Sequence, residues 1–154
     1  MFSESLKEGE AGEHVIWNLL NKRSWVRSVV DVRADKNFQE DDIDFLVENT
    51  KRQFAGVEVK TDYKAHETGN LVYELSTSGN VGCFDKTKAV YIAYYVPGDK
   101  TVYFLDVAAL RKYIYNEARP NEVHMGDNAT GLIIPLEDIR NHGGIISRTF
   151  EGVV

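Results

Sequence analysis

The feature that most limits what this chain can fold into is a pair of short alternating segments. Between Asp42 and Glu48, apolar Ile43, Phe45 and Val47 recur at every second position, and Val57 and Val59 do the same between Phe54 and Thr61. Period two puts residues i and i+2 on one face of a strand. Asn49 to Arg52 is a short turn, so the two segments predict a β-hairpin. One face of that hairpin is apolar. The other carries Asp44 on the first strand and Glu58 and Lys60 on the second.

Elements around the hairpin follow from the same kind of reading. Residues 3 to 22 predict a helix: Ser3 can cap it, acids crowd its first turns, and Leu6, Ala11, Val15, Ile16, Leu19 and Leu20 form a helical stripe. Trp25 to Arg33 is β-branched and predicts a strand, followed by a polar turn from Asp35 to Glu40. Beyond the hairpin come a polar loop from Tyr63 to Gly69, a fourth strand from Leu71 to Ser76, and an irregular stretch from Ser78 to Lys88. Ala89 to Val96 and Thr101 to Asp106 predict strands around a Pro97–Lys100 turn. Val107 to Glu117 predicts a helix, Arg119 to Thr130 a loop, Leu132 to Ile134 a short strand, Leu136 to His142 a short helix, and Ile145 to Val154 a last strand. The order predicts an α/β fold with a mixed central sheet flanked by helices, with residues 1–154 as a single domain.

Charge and composition narrow the function. The chain has 43% apolar and 27% charged residues, ordinary for a soluble globular protein. Net charge is −6, which counts against a protein that grips nucleic acid over its whole surface but says nothing of local clusters. Cys83 is the one cysteine, so no intrachain disulfide can form. The N-terminal stretch lacks an apolar signal core and no run is long enough to span a membrane, which predicts a cytoplasmic protein with no membrane partner.

Two carboxylates and a lysine on one polar hairpin face suit phosphoryl chemistry. Mg²⁺ prefers oxygen ligands and is usually held by one or two carboxylates plus waters and phosphate oxygens. Asp44 and Glu58 are the candidate ligands, with the Val59 carbonyl as an extra one. A divalent ion would lower the pKa of a water and stabilise charge on the phosphate, while Lys60 would orient the attacking water or offset that charge. The plain alternative is a solvated cross-strand charge set on an exposed sheet face.

Asp41-Asp42-Ile43-Asp44-Phe45-Leu46-Val47 followed by Gly56-Val57-Glu58-Val59-Lys60-Thr61 resembles the signature of the PD-(D/E)xK nuclease superfamily. Gly9-Glu10-Ala11-Gly12-Glu13 on the first helix is similar to its Holliday junction resolvase-like members. The resemblance covers about residues 8 to 95, and the family's usual proline before the aspartate is absent. It implies a restriction-endonuclease-like core in αβββαβ order with added strands. It implies a Mg²⁺-dependent nuclease acting on DNA, with Mn²⁺ able to substitute. It adds Glu13 to the site, with Glu10 as second choice, and it brings in Tyr73, Glu74 and Ser76 from the fourth strand. A homodimer, or a subunit of a larger DNA-processing complex, fits such relatives, as does a catalytically silent binding module on the same fold.

Lys51, Arg52, Lys64, Lys86 and Lys88, interleaved with aromatic residues, are candidate DNA-backbone contacts. His66, just beyond Lys60, is the histidine placed to approach a substrate. The four histidines lack metal-ligand spacing, and Cys83 has no Cys or His partner nearby.

Overall fold

The computed structural model describes residues 2–118, 122–126 and 128–154, with side chains from residue 6 onward. In chain order the elements are α1 (Phe2–Asn21), β1 (Val26–Asp31), α2 (Lys36–Glu40), β2 (Phe45–Asn49), β3 (Phe54–Thr61), α3 (Ala65–Thr68), β4 (Asn70–Thr77), β5 (Asn80–Val81) and α4 (Cys83–Lys86). They continue with β6 (Tyr91–Val96), β7 (Thr101–Asp106), α5 (Val107–Tyr113), β8 (Glu122–His124), β9 (Ala129–Pro135), α6 (Leu136–Asn141) and β10 (Ile146–Phe150). Among the described residues no helix is long and apolar enough to cross a membrane.

Six strands form one mixed sheet in the order β1-β2-β3-β6-β7-β10. The β3–β6 pair is parallel and the others are antiparallel. Helix α1 covers one face, setting Ile16, Leu19 and Leu20 against Phe45, Val57 and Val59. The other face packs Ile92, Tyr94 and Leu105 against Leu71, Tyr73 and Ile134 of a second sheet, and against Leu110 of α5 and Ile139 of α6. Strand β6 is buried on both sides, which its continuous Tyr91–Val96 apolar run anticipates. This mixed α/β architecture with helix-flanked central sheet is the class the sequence predicts.

Helix α1 approaches β3 closely because Gly12 has no side chain: a Cβ there would lie 1.8 Å from Thr61 Oγ1. The predicted stripe on α1 is narrower in the structure, since Leu6 and Ala11 are exposed. The expected Ser3 cap concerns a side chain outside the described residues, as does part of the expected 119–130 loop, where the described residues include strand β8.

The main departure is the fourth strand. Leu71 to Ser76 does not join the central sheet; β4 belongs to a separate four-stranded sheet in the order β5-β4-β9-β8. Its partners Ile134 and Leu132 are some sixty residues away, and no local pattern encodes that pairing. Short helices also replace expected irregular chain. Asp35 caps α2 by accepting from the Asn37 N–H, and α3 and α4 lie where a loop and an irregular stretch were predicted.

Candidate active site

Register decides the site. Phe45 pairs with Val57 across the β2–β3 hairpin, which puts Asp44 opposite Glu58. Asp44 lies just before β2, not inside it, because the chain turns through Asp42 in a left-handed conformation (φ 49°). The expected alternation fails at this turn. Ile43 leaves the Phe45–Val47 face and packs with Val32, Ala89 and Leu46. The Asp44 carboxylate is held by the Val59 N–H, which donates to Oδ2 at 2.8 Å. Val59 is therefore seen orienting Asp44 through its amide.

The turn itself is clamped from the far side. Thr87 Oγ1 donates to the Asp42 carbonyl at 2.7 Å, and the Lys88 N–H donates to the Asp41 carbonyl at 2.9 Å. Lys86 pairs with Asp42 at 3.3 Å and Lys88 with Asp41 at 3.2 Å. Arg111 of α5 anchors this segment by donating to the Phe84 and Thr87 carbonyls at 2.8 and 2.6 Å. Neither Thr87 nor Arg111 carries a sequence signal for this role; Asp42 lies in the quoted acidic run without being singled out.

Burial dominates the electrostatics. It pushes the Asp44 carboxyl up to about 6, with the charges of Glu13 and Asp42 adding to it and the Val59 amide opposing it. Glu58 is pushed up to about 9 by burial first, then by Asp44 and Asp42, with Lys60 opposing. For Lys60, burial pulls the ammonium down, but the charges that Cys83, Glu74 and Glu58 carry once ionised outweigh it, so its pKa is raised. Of these, Glu74 is in direct contact, Oε2 lying 3.2 Å from Nζ. The Cys83 thiol is itself pushed up to about 12 by burial and stays neutral.

These shifts make a stability prediction. A carboxyl whose folded pKa is raised favours the fold below its unfolded pKa and loses that contribution as pH rises through the folded value. With divalent ions chelated, stability is expected to fall between about pH 5 and about pH 9, and Glu58→Gln to flatten that slope. Denaturant melts at several pH values read it directly. Equal slopes for wild type and variant would show that Glu58 carries no such strain.

The other predicted residues divide. Glu74 reaches Lys60 even though β4 lies in the second sheet. Ser76 is taken up by Thr130, Oγ to Oγ1 at 2.8 Å, and Tyr73 is buried with its hydroxyl on Asp85. Glu13 is carried by helix α1, which packs on the sheet face of Phe45, Val57 and Val59. Its charge reaches Asp44 and Glu58, but its carboxylate is engaged by Arg33 at 2.6 Å, which also holds Asp31 at 2.7 Å. Glu10 is exposed. Lys86 and Lys88 flank the acidic turn, and Lys64 lines a cleft of about 280 Å³ with Lys60, Glu74 and Tyr94. Lys51 and Arg52 sit at the turn of the hairpin, the end remote from Asp44. His66 packs against Gly98 and pairs with Glu67, away from the acids. A second cavity of about 290 Å³, on the α1 side near Trp25 and Phe104, contains none of the acids.

The donor set fits a hard divalent ion. Asp44, at the entry to β2, and Glu58, on β3, offer two carboxylates, a number Mg²⁺ uses when waters and phosphate oxygens complete its shell. Among the described residues no three His, Cys, Asp or Glu side chains group at metal-holding separations, so the protein supplies a pair rather than a cage.

Six mixed strands flanked by helices, with Asp44 and Glu58 at one end of the β2–β3 hairpin, form an α/β core. Among solved structures, the chain is similar to a bacterial homing endonuclease, I-Ssp6803I, with a TM-score of 0.50 at 15% identity over 69% of this chain and 71% of that one. At that identity the likeness is one of fold. No protein-family model and no curated protein matches the chain.

Proposed function

We propose that this chain is a divalent-metal-dependent nuclease of the PD-(D/E)xK type that hydrolyses DNA phosphodiester bonds. The observation that carries the reading is the β2–β3 register, which opposes Asp44 to Glu58 and leaves Lys60 two residues along the same strand. The likeness of fold to a bacterial homing endonuclease supports it and favours DNA as the substrate.

Asp44 and Glu58 would hold Mg²⁺, or Mn²⁺ in its place, with the Val59 carbonyl as a further oxygen. When bound, the ion supplies Lewis-acid polarisation of the phosphate and lowers the pKa of water. The chain's own residues do the rest. The Val59 amide fixes the Asp44 carboxylate, and the Thr87 hydroxyl fixes the turn that aims it. Lys60, whose ammonium contacts Glu74, would offset phosphate charge in the transition state or orient the attacking water. Lys64 at the cleft, and Lys86 and Lys88 beside the acidic turn, would meet the DNA backbone.

A second reading has its own support. Asp44 and Lys60 already have protein partners, Val59 and Glu74, as expected of a catalytically silent DNA-binding module. Single-turnover assays on a labelled duplex, flap and four-way junction, with Mg²⁺ and then Mn²⁺, separate the two. Cleavage that stops on chelation is the expected result. Binding without cleavage of any substrate under either metal would overturn the nuclease reading in favour of the silent module.

A further inference from the structure

Strand β4 begins at the core and ends in the open. A bulge interrupts its pairing with β9 between Glu74 and Ser76, beside Lys60, and bulges re-aim a strand and raise its twist. Beyond it, Ser76 pairs with Val81 and Thr77 with Asn80. Ser78 (φ 50°) and Gly79 (φ 83°) close a two-residue turn, both left-handed as a type I′ hairpin requires. Thr77 to Val81 are all exposed, and β5 is the outer strand of its sheet.

Both feet of this hairpin stand at the candidate site. Glu74 contacts Lys60, and the Cys83 thiol lies 3.9 Å from the same Glu74 oxygen. Gly82 passes so close to β4 that a Cβ on it would lie 2.2 Å from the Glu74 carbonyl oxygen. The hairpin therefore has a fixed angle to the acids. From Glu74 to Ser78 it rises by about 13 Å at roughly 3.3 Å per residue. That exceeds the major-groove depth of about 8.5 Å; β9 still flanks β4 as far as Thr77, so the turn and the outer strand β5 form the leading edge.

Composition says what the tip can read. From Leu75 to Gly82 there is no charged residue, in a chain where 27% are charged. Phosphate contact rests on cations, which the nearby lysines supply; base edges are read by amides, hydroxyls and methyls. Asn80 suits the paired donor and acceptor of adenine, and Thr77 and Val81 offer methyl groups to thymine.

We propose that the β4–β5 corner, Thr77 to Val81, is a base-reading element that enters the major groove of duplex DNA beside the bond to be cut. This rests on the nuclease reading only for where the DNA lies. The test therefore uses binding rather than cleavage. The full chain, with Ca²⁺, selects from a random-sequence duplex pool, and the enriched DNA is sequenced. Wild type is expected to favour an A·T pair at one or two positions by roughly tenfold. Thr77→Ala/Asn80→Ala/Val81→Ala should flatten that preference while average affinity changes by no more than about threefold, since the phosphate contacts remain. Asn80→Asp should move the preference from A·T towards a cytosine-containing pair, because a carboxylate accepts from cytosine N4. Wild type without base preference, or variants with the wild-type pattern, would overturn the proposal. Cleavage of the same pool with Mg²⁺ decides the nuclease reading separately.

Discussion

Replacing Lys60 with alanine is expected to slow DNA cleavage by roughly a hundredfold or more, the scale of losing one electrostatic group in a transition state. Binding should survive. An ammonium cannot ligate a cation, so divalent-ion affinity should hold or rise as a neighbouring positive charge is lost. The contact with Glu74 adds a control. Glu74→Gln removes the ion pair but leaves Lys60, so the two variants separate loss of the ammonium from loss of its resting partner. Single-turnover cleavage with DNA and metal saturating isolates the step. Equal rates for wild type and Lys60→Ala would reduce Lys60 to a surface charge and end the proposed mechanism.

The second large effect concerns the acid pair. Asp44→Ala or Glu58→Ala should each weaken divalent-ion binding strongly, because each removes one of the two proposed carboxylate ligands. The two variants should differ in stability. Asp44→Ala also strips the Val59 N–H of its acceptor, a cost on the order of 1–3 kcal/mol for a buried donor left alone. Glu58→Ala removes a carboxyl that burial and Asp44 already disfavour. Calorimetric titration with Mn²⁺, alongside denaturant melts, reads both. Metal binding unchanged in both variants would remove the site.

The acid pair and Lys60 were legible because their placement depends on a hairpin, and hairpin register is a local property. Alternation on either side of one short turn predicts that Asp44 and Glu58 share a face, and the Phe45–Val57 register agrees. What lay outside the sequence pattern is nonlocal or too short to have a period. The turn at Asp42 moves Ile43 to the opposite face, and alternation alone cannot report a break at a strand's first residue. Helices α2, α3 and α4 run for four or five residues, below the length at which a helical stripe shows. Strand β4 reads as a strand wherever it pairs, and only contacts with β9 reveal that it belongs to another sheet. For Glu13 the helix and its glutamate are where the resemblance places them, but no pattern announces that Arg33 bridges its carboxylate to that of Asp31.

Arg111 has a bearing on how far this protein can be cut down. The stretch that resembles a nuclease ends near residue 95, and a protein engineer seeking a minimal catalytic fragment would be drawn to stop there. Yet the guanidinium that ties down the Phe84 and Thr87 carbonyls comes from α5, beyond that boundary. Through Thr87 it steadies the Asp42 turn, and through the turn the aim of Asp44. A fragment ending at residue 95 would retain Asp44, Glu58 and Lys60 but lose, along with β7, β9 and β10, the brace behind the turn that aims Asp44.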